Sequence, residues 1–246
     1  MPEPKHLSNP PIREAIVEFG VEPAPGVDFD SLSAVAQRMS NEYPSHERIQ
    51  SFEGTIKIEA KTRTVEQTAR VAEPRGYLLK SEDGARIVRV EANRFSFSWL
   101  TLYPGWDEFF AAAMGSWGCY RELLKPMQVD RLAARYINRM ILSDELPVQL
   151  GDYLELPPQS TAGTRMESFL TQLHVCDDGD RALRASIIQA SEHERRLVVI
   201  LDIDTSKIVK CECGSAEIPE VFRDLRDFKN RLFFRSITPK TVRMYE

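Results

Sequence analysis

Hydrophobic residues recur along this chain at two spacings, and the switches between them predict its elements. Ile12 to Val21 reads as a strand, closed by Pro23 and Pro25. Asp28 is a fair helix N-cap, and behind it Phe29, Leu32, Val35, Ala36 and Met39 return at helical intervals until Tyr43-Pro44 ends the run. From Ile49 to Tyr103 the pattern shortens to alternating runs: Thr55-Ile56-Lys57-Ile58, Tyr77-Leu78-Leu79, Ile87 to Val90, and Phe95-Ser96-Phe97-Ser98-Trp99. Glu82-Asp83-Gly84 and Ala92-Asn93-Arg94 lie between them as turn signals, which predicts an antiparallel meander with Phe95, Phe97 and Trp99 facing inward. Trp106, Phe109, Phe110, Ala113, Trp117, Tyr120 and Leu124 then step by threes and fours up to Lys125-Pro126, the clearest amphipathic helix in the chain. The first half therefore reads β-α-β-β-β-α.

The second half follows the same order. Phe169 to Cys176, Leu183 to Ile188 and Leu197 to Ile203 read as strands, separated by Asp177-Asp178-Gly179-Asp180 and by the charged turn Glu192-His193-Glu194-Arg195-Arg196. A helix follows with Val221, Phe222, Leu225, Phe228 and Leu232 on one face and Pro219 near its first turn. The opening strand and helix of this half fall on Arg131 to Leu142 and on a short Leu150 to Leu154 segment. The expected architecture is α+β: two βαβββα-like halves, residues 1–126 and 127–246, forming one compact domain of curved antiparallel sheet packed against helices.

Arg131 to Leu142, RLAARYINRMIL, is where local and global readings conflict. Leu132, Ala133, Tyr136, Ile137, Met140 and Ile141 follow a helical spacing. The repeat of element order requires a strand instead, with Leu132, Ala134, Tyr136, Asn138, Met140 and Leu142 on one face and Arg131, Ala133, Arg135, Ile137, Arg139 and Ile141 on the other. The strand is the expectation carried forward.

Composition narrows the class of function more than it names one. The chain has 246 residues, 42% hydrophobic and 28% charged, enough to bury a core without disulfides. A net charge of −5 argues against indiscriminate nucleic-acid binding, which needs an excess of Lys and Arg facing phosphate. MPEPKHLSNPPIREA carries no apolar signal region, and no stretch approaches the length that spans a bilayer. Cys119, Cys176, Cys211 and Cys213 are few and irregularly spaced. Together these lead to an expected cytoplasmic location, with reduced thiols and no membrane association.

Candidate chemistry is sparse. The apolar run Val198 to Leu201 leads into Asp202-Ile203-Asp204, and a strand ending in D-x-D can supply a nucleophile and an acid or base for phosphotransfer. Exposed strand-end carboxylates beside a turn are the simpler account of this weak acidic pair. His174 with Cys176 and Cys211 with Cys213 could offer four soft ligands, but neither pair has the C-x₂-C knuckle spacing, so no metal is expected. No phosphate loop, dinucleotide fingerprint or nucleophile elbow occurs, and no cofactor is expected. Of the four histidines, His6 lies in the lead-in, His46 is expected in a loop, and His193 in a charged turn. Arg131, Arg135 and Arg139, joined by Arg165, form a row whose guanidinium forks match phosphate or a partner's carboxylates. Ion pairing with Asp and Glu on adjacent strands is the competing account of the same row.

Asn9-Pro10-Pro11-Ile12 with Glu14-Ala15, Arg135-Tyr136-Ile137-Asn138-Arg139, and Asn230 with Phe233 and Ser236-Ile237-Thr238 resemble the start, centre and end of a sporadically distributed, functionally uncharacterised family of bacterial and archaeal proteins. The resemblance spans nearly the whole chain; a Gly that often stands near Ala133 in that family is missing here. It implies no agreed activity, cofactor or catalytic residue. The family's scattered occurrence resembles that of genes on mobile or defence-related islands, including toxin–antitoxin pairs, which is an association and not a mechanism. The expected function is a non-enzymatic binding protein recognising a protein partner, such as an effector or toxin encoded nearby. Its expected binding residues are Arg131, Arg135, Tyr136, Asn138, Arg139 and Arg165. A nucleic-acid or nucleotide binder using the arginine face is the alternative, and an enzyme built on Asp202 and Asp204 a second.

Overall fold

The computed structural model describes residues 7–50, 52–59, 64–71, 74–100, 102–143, 149–162, 164, 166–192 and 196–246, with 52–59, 64–71, 143 and 192 described at the level of the backbone. The first half runs β1 (Ile12–Glu22), α1 (Phe29–Arg38), β2 (Ser45–Ile49), β3 (Phe52–Glu59), β4 (Thr64–Val71), β5 (Gly76–Lys80), β6 (Arg86–Glu91), β7 (Arg94–Leu100) and α2 (Trp106–Leu124). The second runs β8 (Gln128–Ser143), a 3₁₀ turn at Leu150–Asp152, β9 (Leu170–Cys176), β10 (Arg184–Glu192), β11 (Leu197–Cys211), α3 (Glu217–Ser236) and α4 (Pro239–Arg243). This is an α+β fold.

Nine strands form one antiparallel sheet in the order β2-β5-β6-β7-β1-β8-β11-β10-β9, while β3 and β4 pair only with each other. Outward from the central β1/β8 pair, each side meets the last strand of its own meander first and the earlier ones after it. The opening strands of the two sequence halves therefore lie side by side at the middle of the sheet.

One face of the sheet is the core. β1 presents Ala15, Val17, Phe19 and Val21 to it, β7 presents Phe95 and Phe97, and β8 presents Leu132, Ala134 and Tyr136, all buried. Phe19 joins both long helices: its ring stacks on Trp117 of α2 at 4.2 Å and meets Phe222 of α3 at 5.1 Å. Burying an aromatic ring of this size stabilises by about 2–3 kcal/mol, and the stacked geometry adds about 1 kcal/mol. The polar ends of the buried aromatics find backbone partners, with Trp117 Nε1 donating to Cys213 O and Tyr120 Oη to Glu91 O. Thr205 Oγ1 of β11 donates to Ala134 O in the neighbouring strand and lies within reach of Leu225 O in α3. α2 ends where Lys125 takes the left-handed conformation (φ 46°) and Pro126 forbids continuation.

Most of the expected elements are present. Asp28 caps α1, accepting from Ser31 N at 2.9 Å. Arg131 to Leu142 lies within a 16-residue strand, β8, and not a helix. The helical spacing of its apolar residues misleads because Ala133, Ile137 and Ile141 stand among the arginines on the face away from the helices, so hydrocarbon occurs on both parities of the strand. Four details differ. Six strands, not three, lie between α1 and α2, and the Thr55 to Ile58 run expected in the meander belongs to β3, which pairs with β4 in a separate two-stranded sheet. His46 sits in edge strand β2, not a loop, its ring 2.7 Å from Tyr43 O. β11 continues to Cys211, eight residues past the Ile203 expected to end it, because Thr205, Ile208 and Val209 keep a β-compatible run going through the polar stretch. The helix expected at Leu150 to Leu154 is a single 3₁₀ turn.

Candidate binding face

The alternation that buries Tyr136 turns the other parity of each strand to the opposite face, away from α1, α2 and α3, where Arg131, Arg135 and Arg139 are half-buried and Ala133, Val198 and Asp202 are buried beside them. At its centre four strands contribute a checkerboard of charge: Arg94 from β7, Glu14 and Glu18 from β1, Arg131, Arg135 and Arg139 from β8, and Asp202 and Asp204 from β11. Four cations face four carboxylates. Arg135 grips Asp202 with both prongs of its fork, Nε to Oδ1 at 2.9 Å and Nη2 to Oδ2 at 2.6 Å. These bonds hold the guanidinium still more firmly charged, against the opposing effect of burial. Arg131 Nη1 donates to Glu18 Oε1 at 2.5 Å, and Arg94 approaches the other oxygen of Glu18 at 3.8 Å. Asp202 is 10% exposed at its side chain while Arg135 is 43% exposed, so the pair presents its cationic half to solvent.

Asp204 is the anomaly of this face. It lies opposite Arg135 in the strand pairing, yet the fork turns to Asp202, and Asp204 Oδ1 is buried with no hydrogen-bond partner among the described residues. Burial pushes its carboxyl pKa up, while Arg131 and Arg135 pull it back.

The expected binding set therefore divides. Arg131, Arg135 and Arg139 share this face; Arg165 lies outside the described residues, as do His6 and His193. Tyr136 and Asn138 point the other way. Asn138 is 2% exposed and donates to Leu201 O at 3.0 Å, and Tyr136 Oη meets Tyr103 Oη at 3.2 Å inside the core. Strand parity alone forbids these two from joining a site made by the arginines. Asp202 and Asp204 are corrected as well: they stand in mid-strand, not at a strand end beside a turn. His174 and Cys176 in β9 are separated from Cys211 by the whole of β10, and Cys213 is a buried thiol whose Sγ lies 3.3 Å from Pro126 O. Among the described residues no group of three or more His, Cys, Asp or Glu side chains is placed to hold a metal.

The three segments that carry the family resemblance meet in space. Arg139 N donates to Pro11 O at 2.8 Å, and Ile12 pairs with Asn138. Phe233 and Ile237 pack with Met140 and Leu142 of β8, and Thr238 Oγ1 caps the 3₁₀ turn by donating to Asp152 O. These contacts are architectural. They fasten the start and end of the chain to its central strand.

Sequence reasoning missed Lys229. It belongs to α3, is 8% exposed, and lays Nζ over the Tyr136 ring at 3.9 Å from the centroid. Burial drives its pKa down to about 7, Arg226 adds to the effect and Asp227 opposes it. The signal was present: Lys229 falls four residues after Leu225 and four before Phe233, on the apolar stripe of the helix.

No protein-family model, curated protein or solved structure matches this chain. No helix of the described residues is long and apolar enough to cross a membrane.

Proposed function

We propose that this chain is a non-enzymatic binding protein that recognises a protein partner through the arginine-lined face of its sheet. The observation carrying this reading is the charge pattern at the centre of that face. Nucleic-acid sites present unpaired cations to phosphate, whereas here Arg131 and Arg135 are already matched to Glu18 and Asp202. A mixed lattice of this kind suits another protein surface, where alternating charges fix register and reject wrong partners. The Asp-based enzyme is disfavoured by the same geometry, since Asp202 is engaged by Arg135. The scattered occurrence implied by the family resemblance makes an effector or toxin encoded nearby the partner of choice.

The mirrored strand order on the two sides of β1/β8 supports descent of residues 12–125 and 130–235 from one duplicated βαβββα unit. Superposing the two halves tests this, and a failure to align their matching strands in order would remove it.

The partner class is tested by equilibrium binding at several salt concentrations. A protein partner gives a saturable complex with a shallow salt dependence. Oligonucleotide binding that falls steeply with salt, by about 10³-fold over a few-fold change in concentration, would replace this reading with the nucleic-acid one.

A further inference from the structure

The two edges of the sheet differ in how they are defended. Edge strand β2 carries His46, Glu47 and Arg48, and Glu47 is engaged by Lys80 at 2.6 Å. Edge strand β9, Leu170-Thr171-Gln172-Leu173-His174-Val175-Cys176, has no Lys, Arg, Asp, Glu or Pro. An uncharged edge without proline or a bulge is a template for another strand. Its Leu170 is 71% and Leu173 47% exposed, and His174 and Cys176 are exposed beside them.

The backbone bonds at its ends set what the edge offers. Asp177 N donates to Leu183 O and Ser191 N to Phe169 O, so odd-numbered residues of β9 spend their N–H and C=O on β10. The even-numbered residues Leu170, Gln172, His174 and Cys176 therefore turn theirs outward.

We propose that β9 pairs antiparallel with β9 of a second copy of this chain about a two-fold axis through Leu173, joining the two sheets into one. In that register Gln172 stands opposite His174 and Leu170 opposite Cys176, each twice by symmetry, and every outward N–H and C=O of the strand meets its counterpart. Leu173 faces its own copy as a non-hydrogen-bonded pair, the closer of the two antiparallel spacings, and covers its exposed side chain. A self-pairing strand needs no charge at the axis, and this one has none. Such a contact is isologous and closes at two copies. It extends the chain's binding surfaces beyond the arginine-lined face and does not depend on the function proposed for that face.

Sedimentation velocity on the full chain over roughly 1–300 µM tests it. The expected result is a reversible monomer–dimer equilibrium with a dissociation constant of about 10–100 µM, as befits a contact smaller than a standard interface. Leu173→Lys places two ammonium groups at the axis and is expected to abolish the dimer. Gln172→Pro removes an outward donor while sparing the bonds to β10, and is expected to do the same with an unchanged circular-dichroism spectrum. Hydrogen exchange on the unmodified protein gives a reading free of any folding defect: the amides of Gln172, His174 and Cys176 gain protection as concentration rises. A protein that stays monomeric over that range, a dimer undiminished in Leu173→Lys, or exchange at those amides that ignores concentration would overturn the proposal.

Discussion

Lys229→Met is the substitution whose outcome the structure specifies most fully. The lysine lies under the apolar face of α3 against Tyr136, and its pKa falls from 10.5 to about 7. Above about pH 10.5 the amine is neutral in both folded and unfolded chains, and below about 7 it is charged in both. Between these limits the unfolded chain holds a proton that the folded chain does not, so stability rises with pH across this window. Equivalently, the contribution present at high pH is lost as pH falls toward 7. A depression of this size corresponds to an upper bound of about 5 kcal/mol at 1.4 kcal/mol per unit. Methionine keeps the length, drops the charge and retains a favourable contact with the Tyr136 ring. Lys229→Met is expected to stabilise the protein by about 2–4 kcal/mol at neutral pH, with the gap narrowing by about 1 kcal/mol for each pH unit above 7. Urea denaturation of both proteins between about pH 6 and 9 measures it, and taking the difference cancels the buried tyrosines and thiols common to both. A gap that does not change with pH, or a variant less stable at neutral pH, would refute the reasoning.

Asp204→Asn removes the charge of a half-buried carboxylate whose Oδ1 has no hydrogen-bond partner among the described residues, and is expected to raise stability by about 1 kcal/mol near neutral pH, read from the urea midpoint. Because the folded pKa of Asp204 is raised, that gain should vanish as pH falls below 3.8, where the carboxyl is protonated in both states. Tyr103→Phe deletes the part-buried hydroxyl contact to Tyr136 and should cost about 1 kcal/mol in the same assay. Thr205→Val leaves Ala134 O and Leu225 O without their side-chain donor and should cost about 1–2 kcal/mol, because valine preserves the shape but not the hydroxyl.

Much of the architecture was legible as period and punctuation. Asp28, Lys125-Pro126 and Gly84 mark boundaries that the structure keeps, and the long apolar stripes of α2 and α3 lie where their spacing places them. β8 was legible only through the order of its neighbours, since Ala133, Ile137 and Ile141 face the side of the sheet away from the helices, and no local pattern encodes a central strand with hydrocarbon on both faces. The length of β11 was hidden for a related reason: Asp202, Asp204 and Lys207 look like a turn until Arg135, Arg131 and Asp180 are seen beside them. The site was legible in part. Four-residue spacing put Arg131, Arg135 and Arg139 on one face in any regular structure, but which carboxylates they meet depends on strand register, which sequence does not disclose. Lys229 escaped because a charged residue on an apolar stripe reads as solvated until the helix is docked against Tyr136.

Arg135 is the centre of the sheet face proposed as the recognition surface. The most direct measurement is the affinity of the protein encoded beside this one for the folded wild type, Arg135→Ala and Arg135→Lys, with the melting temperature of each taken on the same samples. Removing the guanidinium leaves Asp202 largely buried and unpaired, so Arg135→Ala should cost about 2 kcal/mol of stability in any case. If the face recognises a partner, the folded fraction of Arg135→Ala also binds at least about tenfold more weakly, a loss of about 1.4 kcal/mol, and Arg135→Lys restores only part of it because an ammonium cannot make the bidentate contact. A lowered melting temperature with wild-type affinity in the folded fraction would contradict the account and leave Arg135 as a strut between β8 and β11.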